Sequence, residues 1–368
     1  MIGKAILKEM QPYKPGMQPS EVQKKFNLDR IVKLASNENP YGYSHSVQNE
    51  LKTMATDFEM YPDGYASALR NKIASTLNVS EEQLVFGAGS DEIITFICRA
   101  FLSEGTNTVM AAPTFPQYRQ HALIEGAALK EVPTVQGYHD LKGMLEAIDD
   151  QTKIVWLCTP DNPTGTVIQE KDFHMFMEQC PKDVIVVLDE AYQEFMDTKD
   201  QYNLKQNLSK YENLIVLRTF SKIYGLAGFR AGYGISSEQI ATKLNIVRGP
   251  FNMSIPTQRV ALVAFDDEQF VKETREKNAK VRFEFESFLQ KIGWTYYPSV
   301  TNFLLVNTPI DAEEAAAFLL EHGFIVRSGN LLGYPHTLRI TIGLKEDMQQ
   351  LQQVILKLKD SIQDGVVG

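Results

Sequence analysis

The sequence has few cysteines and no long apolar run, and both absences limit the kind of protein that it encodes. Cys98, Cys158 and Cys180 are an odd set without the spacing of a metal site, so we expect neither a disulfide framework nor a bound metal. No apolar run approaches the roughly 18 residues of a membrane span. The N-terminal residues also lack the apolar segment of a signal peptide. We therefore expect a cytoplasmic protein without a membrane segment.

An excess of basic residues is absent as well. The formal net charge is −9, which leaves no surplus of lysine and arginine for neutralising phosphates, so nucleic acid is excluded as a main partner. The apolar content of 43% and the charged content of 23% are those of an ordinary globular protein. A length of 368 residues exceeds what one hydrophobic core usually supports, so we expect two domains.

Strand and helix patterns alternate through the middle of the chain. This order predicts an α/β fold with a mainly parallel sheet and helices on both faces, and ligands in such sheets bind beyond the carboxyl ends of the strands. After residue 250 the pattern changes to one long charged helix, few strands and two or three covering helices, which predicts a smaller α+β domain. The predicted strands of the sheet cover residues 108–112, 128–132, 153–158, 184–188, 214–217 and 231–235, and the later ones cover 294–297, 302–306, 324–327 and 338–342.

One stretch, directly after a predicted strand, carries donors for a phosphate and an amine for an aldehyde. Hydroxyl groups at Thr219 and Ser221 and the guanidinium of Arg230 are donors that a phosphate monoester prefers. Lys222 lies between them, and a deprotonated lysine attacks an aldehyde carbon. Pyridoxal 5'-phosphate joins an aldehyde to a phosphate, so this stretch predicts a site for it. The alternative is a surface turn with an unrelated arginine.

Residues at other predicted strand ends supply the remaining contacts of that cofactor. A carboxylate at Asp189 keeps a pyridine nitrogen protonated, and Tyr192 and Asn162 hydrogen-bond a phenolate oxygen. Phe115 offers a flat face to the ring, and the turn Gly89-Ser90-Asp91 opens a helix whose free N–H groups bind an anion. Each residue alone has a structural explanation, such as a helix cap or a core tyrosine. Together they predict a cofactor site.

Several motifs resemble those of the fold-type I, class II aminotransferases over nearly the whole chain. They are Asp189-Glu190-Ala191-Tyr192, Ser221-Lys222 followed by Arg230, and Asn162-Pro163-Thr164-Gly165. Further stretches are similar to the branch of that family that acts on histidinol phosphate: residues 12–16, 34–42, 61–64, 88–92, 326–329 and 338–343. The resemblance implies a large cofactor-binding domain at 35–250, a small domain at 251–368, and an N-terminal arm at 1–34 that packs with the small domain.

The resemblance also implies a reaction. The amino group of L-histidinol phosphate moves to 2-oxoglutarate, which gives imidazole acetol phosphate and L-glutamate in histidine biosynthesis. Lys222 acts as general base and acid, with Asp189 and Tyr192 as the other catalytic residues. Arg339 binds the anionic tail of each substrate.

A second cation and a hydroxyl are expected to bind the substrate phosphate beside that arginine. Arg327 is the predicted cation, Tyr13 is the predicted hydroxyl, and Asn37 is expected beside the reacting amine. The alternative for Arg327 is an ion pair with a local acid.

The same resemblance implies a homodimer, because in this fold a tyrosine at the position of Tyr61 reaches the cofactor phosphate of the other subunit. Alternatives on the same scaffold are an aminotransferase for phenylalanine or tyrosine and a phosphothreonine decarboxylase. Two alternatives are of another class: a transcription regulator built on an aminotransferase domain, and an inactive binding module. The first needs a DNA-binding domain, for which no room is expected at either terminus. Lys222 and Asp189 argue against the second.

Overall fold

A computed structural model describes residues 3–10, 12, 18–54 and 58–364 of the chain. Tyr13, one of the residues assigned to the substrate site, lies outside the described residues. Within them, no helix has both the length and the apolar character needed to cross a lipid bilayer.

The described strands are short, and those in the middle of the chain, apart from the edge strand Ala128–Pro133, are almost entirely buried, as expected for apolar runs without alternation. In chain order they are β1 (Val32–Lys33), β2 (Leu84–Gly87), β3 (Asn107–Ala112), β4 (Ala128–Pro133), β5 (Thr152–Cys158), β6 (Ile185–Asp189), β7 (Leu214–Thr219), β8 (Gly232–Ser236), β9 (Phe303–Asn307), β10 (Phe324–Ile325), β11 (Arg327–Ser328) and β12 (Thr337–Thr341).

The described helices lie mainly between these strands, and several begin at side-chain caps. Ser44 and Asp267 each accept a hydrogen bond from a first-turn N–H group, which satisfies a donor that has no partner within the helix. The helices are α1 (Pro19–Phe26), α2 (His45–Thr53), α3 (Ser67–Leu77), α4 (Ser90–Phe101), α5 (Pro116–Ile124), α6 (Leu141–Glu146), α7 (Glu170–Gln179), α8 (Leu204–Lys210), α9 (Glu238–Val247), α10 (Ile255–Phe265), α11 (Glu268–Ile292), α12 (Ala312–Glu321) and α13 (Lys345–Gln363).

A seven-stranded sheet with the order β2-β8-β7-β6-β5-β3-β4 forms the centre of the fold. Its strands pair in parallel, except that β8 is antiparallel to both of its neighbours. Helices cover both faces, and alternate residues of one strand point to opposite sides: Trp156 of β5 belongs to the same core cluster as Ile93 of α4, and Leu157 belongs to that of Phe173 of α7. The predicted α/β class with a mainly parallel sheet is confirmed.

A second core contains residues from both ends of the described chain. Leu34, Leu304 of β9, Ile340 of β12 and Leu351 of α13 belong to it. The strands β11, β12 and β9 form a small antiparallel sheet, and β1 pairs in parallel with β10. The domain boundaries at 34 and 250 stay predictions; helix α10, beyond residue 250, packs on α2 and α3.

Candidate active site

Lys222 follows the carboxyl end of β7, at the floor of a cavity of about 540 Å³. Its Nζ lies 3.3 Å from the carbonyl oxygen of Ser36 and 5.6 Å from the centre of the Tyr192 ring. Burial of the ammonium and the positive charge of Arg339 lower the pKa of Lys222 to about 8. Since an amine attacks a carbonyl only in its neutral form, this lysine is suited to nucleophilic chemistry near neutral pH.

Hydroxyl and guanidinium donors gather at one end of the cavity. The Thr219 hydroxyl lies 3.0 Å from Ser221 Oγ, and Arg230 Nη1 lies 3.4 Å from the same oxygen. Asp91, at the start of α4, lies 3.7 Å from Arg230 Nη2. A Cβ atom at Gly89 would lie 2.5 Å from that Nη2 atom, so only glycine lets the arginine approach the turn. These groups and the first N–H groups of α4 could hold a phosphate.

Asp189 ends β6 on the opposite side of the cavity and is almost fully buried. Burial raises its pKa to about 6, although Tyr118 OH donates to Oδ2 at 2.6 Å and the backbone N–H of Ala191 donates to Oδ1 at 3.1 Å. Within the described part of the chain, no lysine or arginine lies within 4.0 Å of this carboxylate. A protonated ring nitrogen beside it would supply the positive charge and lower that pKa.

Polar side chains from both cores meet above the sheet. Asn37 donates from Nδ2 to Tyr192 OH at 2.9 Å. Arg339 donates to Asn162 Oδ1 at 2.7 Å and to the Ala35 carbonyl at 2.8 Å. Asn37 and Arg339 come from outside the large sheet, whereas Tyr192 and Asn162 follow its strands. The site therefore forms only where the two parts of the chain pack together.

Most of the predicted site residues lie on the wall of this single cavity. They are Asn37, Ser90, Asp91, Phe115, Asn162, Asp189, Tyr192, Thr219, Ser221, Lys222, Arg230, Arg327 and Arg339. Gly89 does not line the cavity but lies next to the guanidinium of Arg230. Tyr61 is separate from this group: it is 80% exposed and stacks on Phe251 with 4.7 Å between the ring centres.

Arg327 lies directly opposite Arg339 in the pairing of β11 with β12, and both side chains line the cavity. No carboxylate among the described residues lies within 4.0 Å of the Arg327 guanidinium. The local ion pair that sequence reasoning left open is therefore absent from the described chain. Two guanidinium groups on neighbouring strands could bind an anion more strongly than either arginine alone.

Sequence reasoning missed three residues of the site. Tyr118, whose hydroxyl donates to Asp189, stacks on Trp156 with 4.6 Å between ring centres. Lys33 and Glu38 line the cavity and pair at 2.7 Å. An aromatic residue in an amphipathic helix is the signal of a core position, so nothing in the sequence distinguished Tyr118 from its buried neighbours.

Three features of the described residues fit pyridoxal 5'-phosphate. The buried carboxylate of Asp189 suits the ring nitrogen, the donors around Ser221 and Arg230 suit the phosphate, and the Lys222 amine suits the aldehyde. All of them open into one cavity of a size that holds a small cofactor with its substrate. A mainly parallel sheet with these groups at its carboxyl edge defines a pyridoxal-phosphate-dependent enzyme.

The chain belongs to the family of class I and II aminotransferases, whose model matches residues 29–355. Within that family it is 52% identical to histidinol-phosphate aminotransferase 2 of Oceanobacillus iheyensis, over 96% of this chain and 98% of the relative. It is 48% identical to histidinol-phosphate aminotransferase of Bacillus subtilis, over 96% and 99% of the two chains. Among solved structures it is similar to histidinol-phosphate aminotransferase of Sinorhizobium meliloti in complex with pyridoxal-5'-phosphate. That structure has a TM-score of 0.87 and 27% sequence identity, and the match covers 97% of this chain and 98% of that one.

Proposed function

We propose that this protein transfers the amino group of L-histidinol phosphate to 2-oxoglutarate, with pyridoxal 5'-phosphate as cofactor. The products are imidazole acetol phosphate and L-glutamate. The observation that carries the substrate assignment is the pair Arg327 and Arg339, which face one cavity from neighbouring strands, with no carboxylate of the described residues within 4.0 Å of Arg327. The names of the similar proteins support the same assignment.

The cofactor, when bound, supplies an aldehyde that condenses with amines and a ring that accepts electrons from the adjacent carbon. Ser221, Thr219 and Arg230 would bind its phosphate, together with the N–H groups at the start of α4. Asp189 would hold a proton on the ring nitrogen by its negative charge. Tyr118 donates to that carboxylate and fixes its orientation.

Lys222 moves a proton at its Nζ atom. With its pKa lowered to about 8, the amine exchanges a proton readily near neutral pH, which is the condition for an efficient general base and acid. Tyr192 lies beneath this Nζ atom and holds its hydroxyl toward Asn37. Asn162 is oriented by Arg339, so the group that binds the substrate anion also fixes a group that binds the ring.

Two arginines suit a phosphate better than a carboxylate. A phosphate carries more charge and three acceptor oxygens, and it occupies two guanidinium groups, whereas an amino acid carboxylate is satisfied by one. Arg339 serves both the donor and 2-oxoglutarate in turn. Arg327 is the residue that would distinguish histidinol phosphate from phenylalanine or tyrosine.

The test is Arg327→Ala assayed with histidinol phosphate and with phenylalanine as donors. Loss of a charged hydrogen bond to the phosphate should cost about 2 kcal/mol in transition-state stabilisation, a drop in kcat/KM of roughly 30-fold. Phenylalanine, which lacks a phosphate, should lose much less. Arg119→Ala is the matched control, because Arg119 pairs with Glu131 at 3.3 Å and does not line the cavity. Equal losses for both donors would contradict the substrate assignment.

We also propose a cytoplasmic homodimer with its active sites at the subunit interface. Tyr61 and Phe251 form a stacked, exposed aromatic pair, and contiguous exposed aromatics are typical of contact surfaces. Tyr61 would reach the cofactor phosphate in the partner subunit. The free thiols of Cys98, Cys158 and Cys180 support a reducing compartment.

A further inference from the structure

A buried carboxylate lies behind the cofactor cavity, at the start of the loop that carries Asn162. Asp161 is buried, and within the described residues no lysine or arginine lies within 4.0 Å of it. The basic side chain beside it is His139, whose Nε2 lies 3.3 Å from Asp161 Oδ1, and each side chain is 1% exposed. A buried carboxylate is tolerated only when hydrogen bonds replace its hydration.

Two threonines complete the shell of that carboxylate. The Thr114 hydroxyl donates to Asp161 Oδ1 at 2.6 Å, and the Thr164 hydroxyl lies 2.8 Å from Oδ2. Both oxygens are therefore occupied, and every contact comes from a loop that follows a strand of the large sheet. The carboxylate acts as a common acceptor for separate segments of the chain.

Those segments are the loops after three neighbouring strands. Thr114 follows β3 and directly precedes Phe115, Thr164 follows β5 in the loop of Asn162, and His139 follows β4; β3 lies between β4 and β5 in the sheet. Phe115 and Asn162 line the cavity, whereas Asp161 and His139 do not. The pair thus touches the cofactor site only through the loops that it joins.

The turn that presents His139 is itself held in place. Gly137 has φ +83°, and a Cβ atom there would lie 2.4 Å from the Tyr297 ring. The carbonyl oxygen of Gly137 accepts a hydrogen bond from the Thr166 hydroxyl at 2.7 Å. Because the turn is bound to the Asn162 loop and packed under an aromatic ring, His139 approaches Asp161 from a fixed direction.

From this geometry we infer that Asp161 and His139 are positioning residues that set the distance between Phe115 and Asn162 across the cofactor ring. Asp161 ties the Phe115 loop to the Asn162 loop, and His139 compensates the buried carboxylate by donating from Nε2. The inference rests on the roles proposed above for Phe115 and Asn162. It does not depend on which amino donor the enzyme uses.

The test compares His139→Leu, which removes the donor, with His139→Gln, which keeps an N–H group. Cofactor-free protein is titrated with pyridoxal phosphate, and the pH midpoint of the absorption change of the bound cofactor is measured. His139→Leu should weaken binding about tenfold or more, as when a charged group loses a hydrogen bond. Its midpoint should also rise, because a displaced Asn162 stabilises the phenolate less. His139→Gln should stay close to the wild type.

Two further variants serve as comparisons. One shows the effect of a general loss of stability, and the other shows the effect of losing the proposed contact between Asn162 and the ring. His174→Leu is the matched control, since His174 lies 2.8 Å from Tyr211 OH away from the cavity; it should lower Tm without changing binding or the midpoint. Asn162→Ala removes the ring contact directly and should raise the midpoint. A normal midpoint in Asn162→Ala would overturn the ring contact, and with it the basis of the inference. If the midpoint rises in Asn162→Ala but His139→Leu has the cofactor binding and midpoint of the wild type, the Asn162 contact would stand and the positioning role of His139 and Asp161 would be overturned.

If His139→Leu does not fold, Thr114→Val decides the question. This change removes the hydroxyl between Asp161 and the Phe115 loop at nearly constant volume. Pyridoxal phosphate should bind several-fold more weakly to it, and the midpoint should shift. Binding and midpoint equal to those of the wild type would overturn the inference.

Discussion

At the scale of single residues, the amine of Lys222 lies in an environment unlike that of an ordinary surface lysine. Burial disfavours its ammonium form, and Arg339 adds a like charge, while Asp91 and Glu38 act in the opposite direction. The first two effects are the larger ones, so the pKa of Lys222 falls to about 8. Arg339 therefore has an influence on the lysine as well as on the substrate anion.

The first prediction concerns the pH dependence of cofactor capture. Covalent attachment of pyridoxal phosphate to the cofactor-free protein requires a neutral amine, so its rate should rise with pH through a midpoint near 8. Arg339→Gln should move that midpoint upward, because it removes the like charge. Stopped-flow absorbance at a series of pH values measures both. A wild-type midpoint near the ordinary lysine value of about 10.4 would contradict the account.

The second prediction concerns Asp189→Asn. An amide of the same shape keeps the packing but carries no charge for a protonated ring nitrogen, so the amino-transfer half-reaction should slow by about 10²-fold or more. Single-turnover kinetics at saturating cofactor isolate that step. Asp149→Asn serves as the control, since Asp149 pairs with Lys130 at 2.6 Å outside the cavity. Full recovery of the rate at saturating cofactor would make Asp189 a binding residue only.

The sequence alone indicated charged and hydroxyl groups at strand ends but not the residues that orient them. Lys222, Ser221 and Arg230 lie in one short stretch, so their proximity follows from the chain itself. Tyr118 reaches Asp189 only because α5 packs over the sheet beside β6, and that contact depends on tertiary structure. Asn37 is a similar case, because resemblance rather than any local pattern suggested its place.

At the scale of elements, the close approach of α4 to β8 shapes the phosphate site. Gly232 begins β8, and a Cβ atom there would lie 2.5 Å from the backbone nitrogen of Ser90. Gly232 lies in a strand and Ser90 lies in a helix, so moving either backbone to relieve the contact would cost free energy. The strand thus places the start of the helix beside Ser221 and Arg230.

The third prediction is that Gly232→Ala displaces the start of α4 and weakens cofactor binding. The clash falls on backbone rather than on a flexible side chain, so we expect a loss of at least about tenfold in affinity together with a lower Tm. Gly249→Ala is the control, because a Cβ atom at Gly249 meets nothing within 4 Å. Equilibrium titration with pyridoxal phosphate measures the effect. Wild-type affinity in Gly232→Ala would contradict the proposed phosphate site.

Among the helices after residue 250, the sequence predicted one that has a polar face and missed one that has none. The long helix predicted for residues 267–291 is observed as α11, with charged residues along its exposed side. Helix α10 was missed, because its run from Val260 to Phe265 is apolar all round and lacks a helical period. The strand expected at 294–297 was wrong: apart from one bridge, Tyr296 to Val306, that segment forms no ladder.

At the scale of the whole molecule, the ring of Tyr61 is 80% exposed and does not line the cavity of its own subunit. The fourth prediction follows: mixing inactive Tyr61→Ala and Lys222→Ala proteins should restore activity, since one site of the mixed dimer receives both native residues. The turnover of each unmixed variant is the baseline, and the unmixed Lys222→Ala protein shows how much turnover remains without the lysine. Sedimentation of the wild type provides the second measurement. A fully active monomer, or no recovery on mixing, would contradict a shared site.

The pairing of β1 with β10 has a consequence for the order of events during synthesis. Leu34 leaves the ribosome early, but its partners in the second core, from Val281 to Leu358, follow only after the entire seven-stranded sheet. At ordinary elongation rates that delay is on the order of tens of seconds. The large sheet is able to fold while the chain is still being made, whereas the second core waits for release. Asn37 and Arg339 meet Tyr192 and Asn162 only then, so a nascent chain would hold the groups proposed for the cofactor phosphate before it brings together those proposed for the substrate.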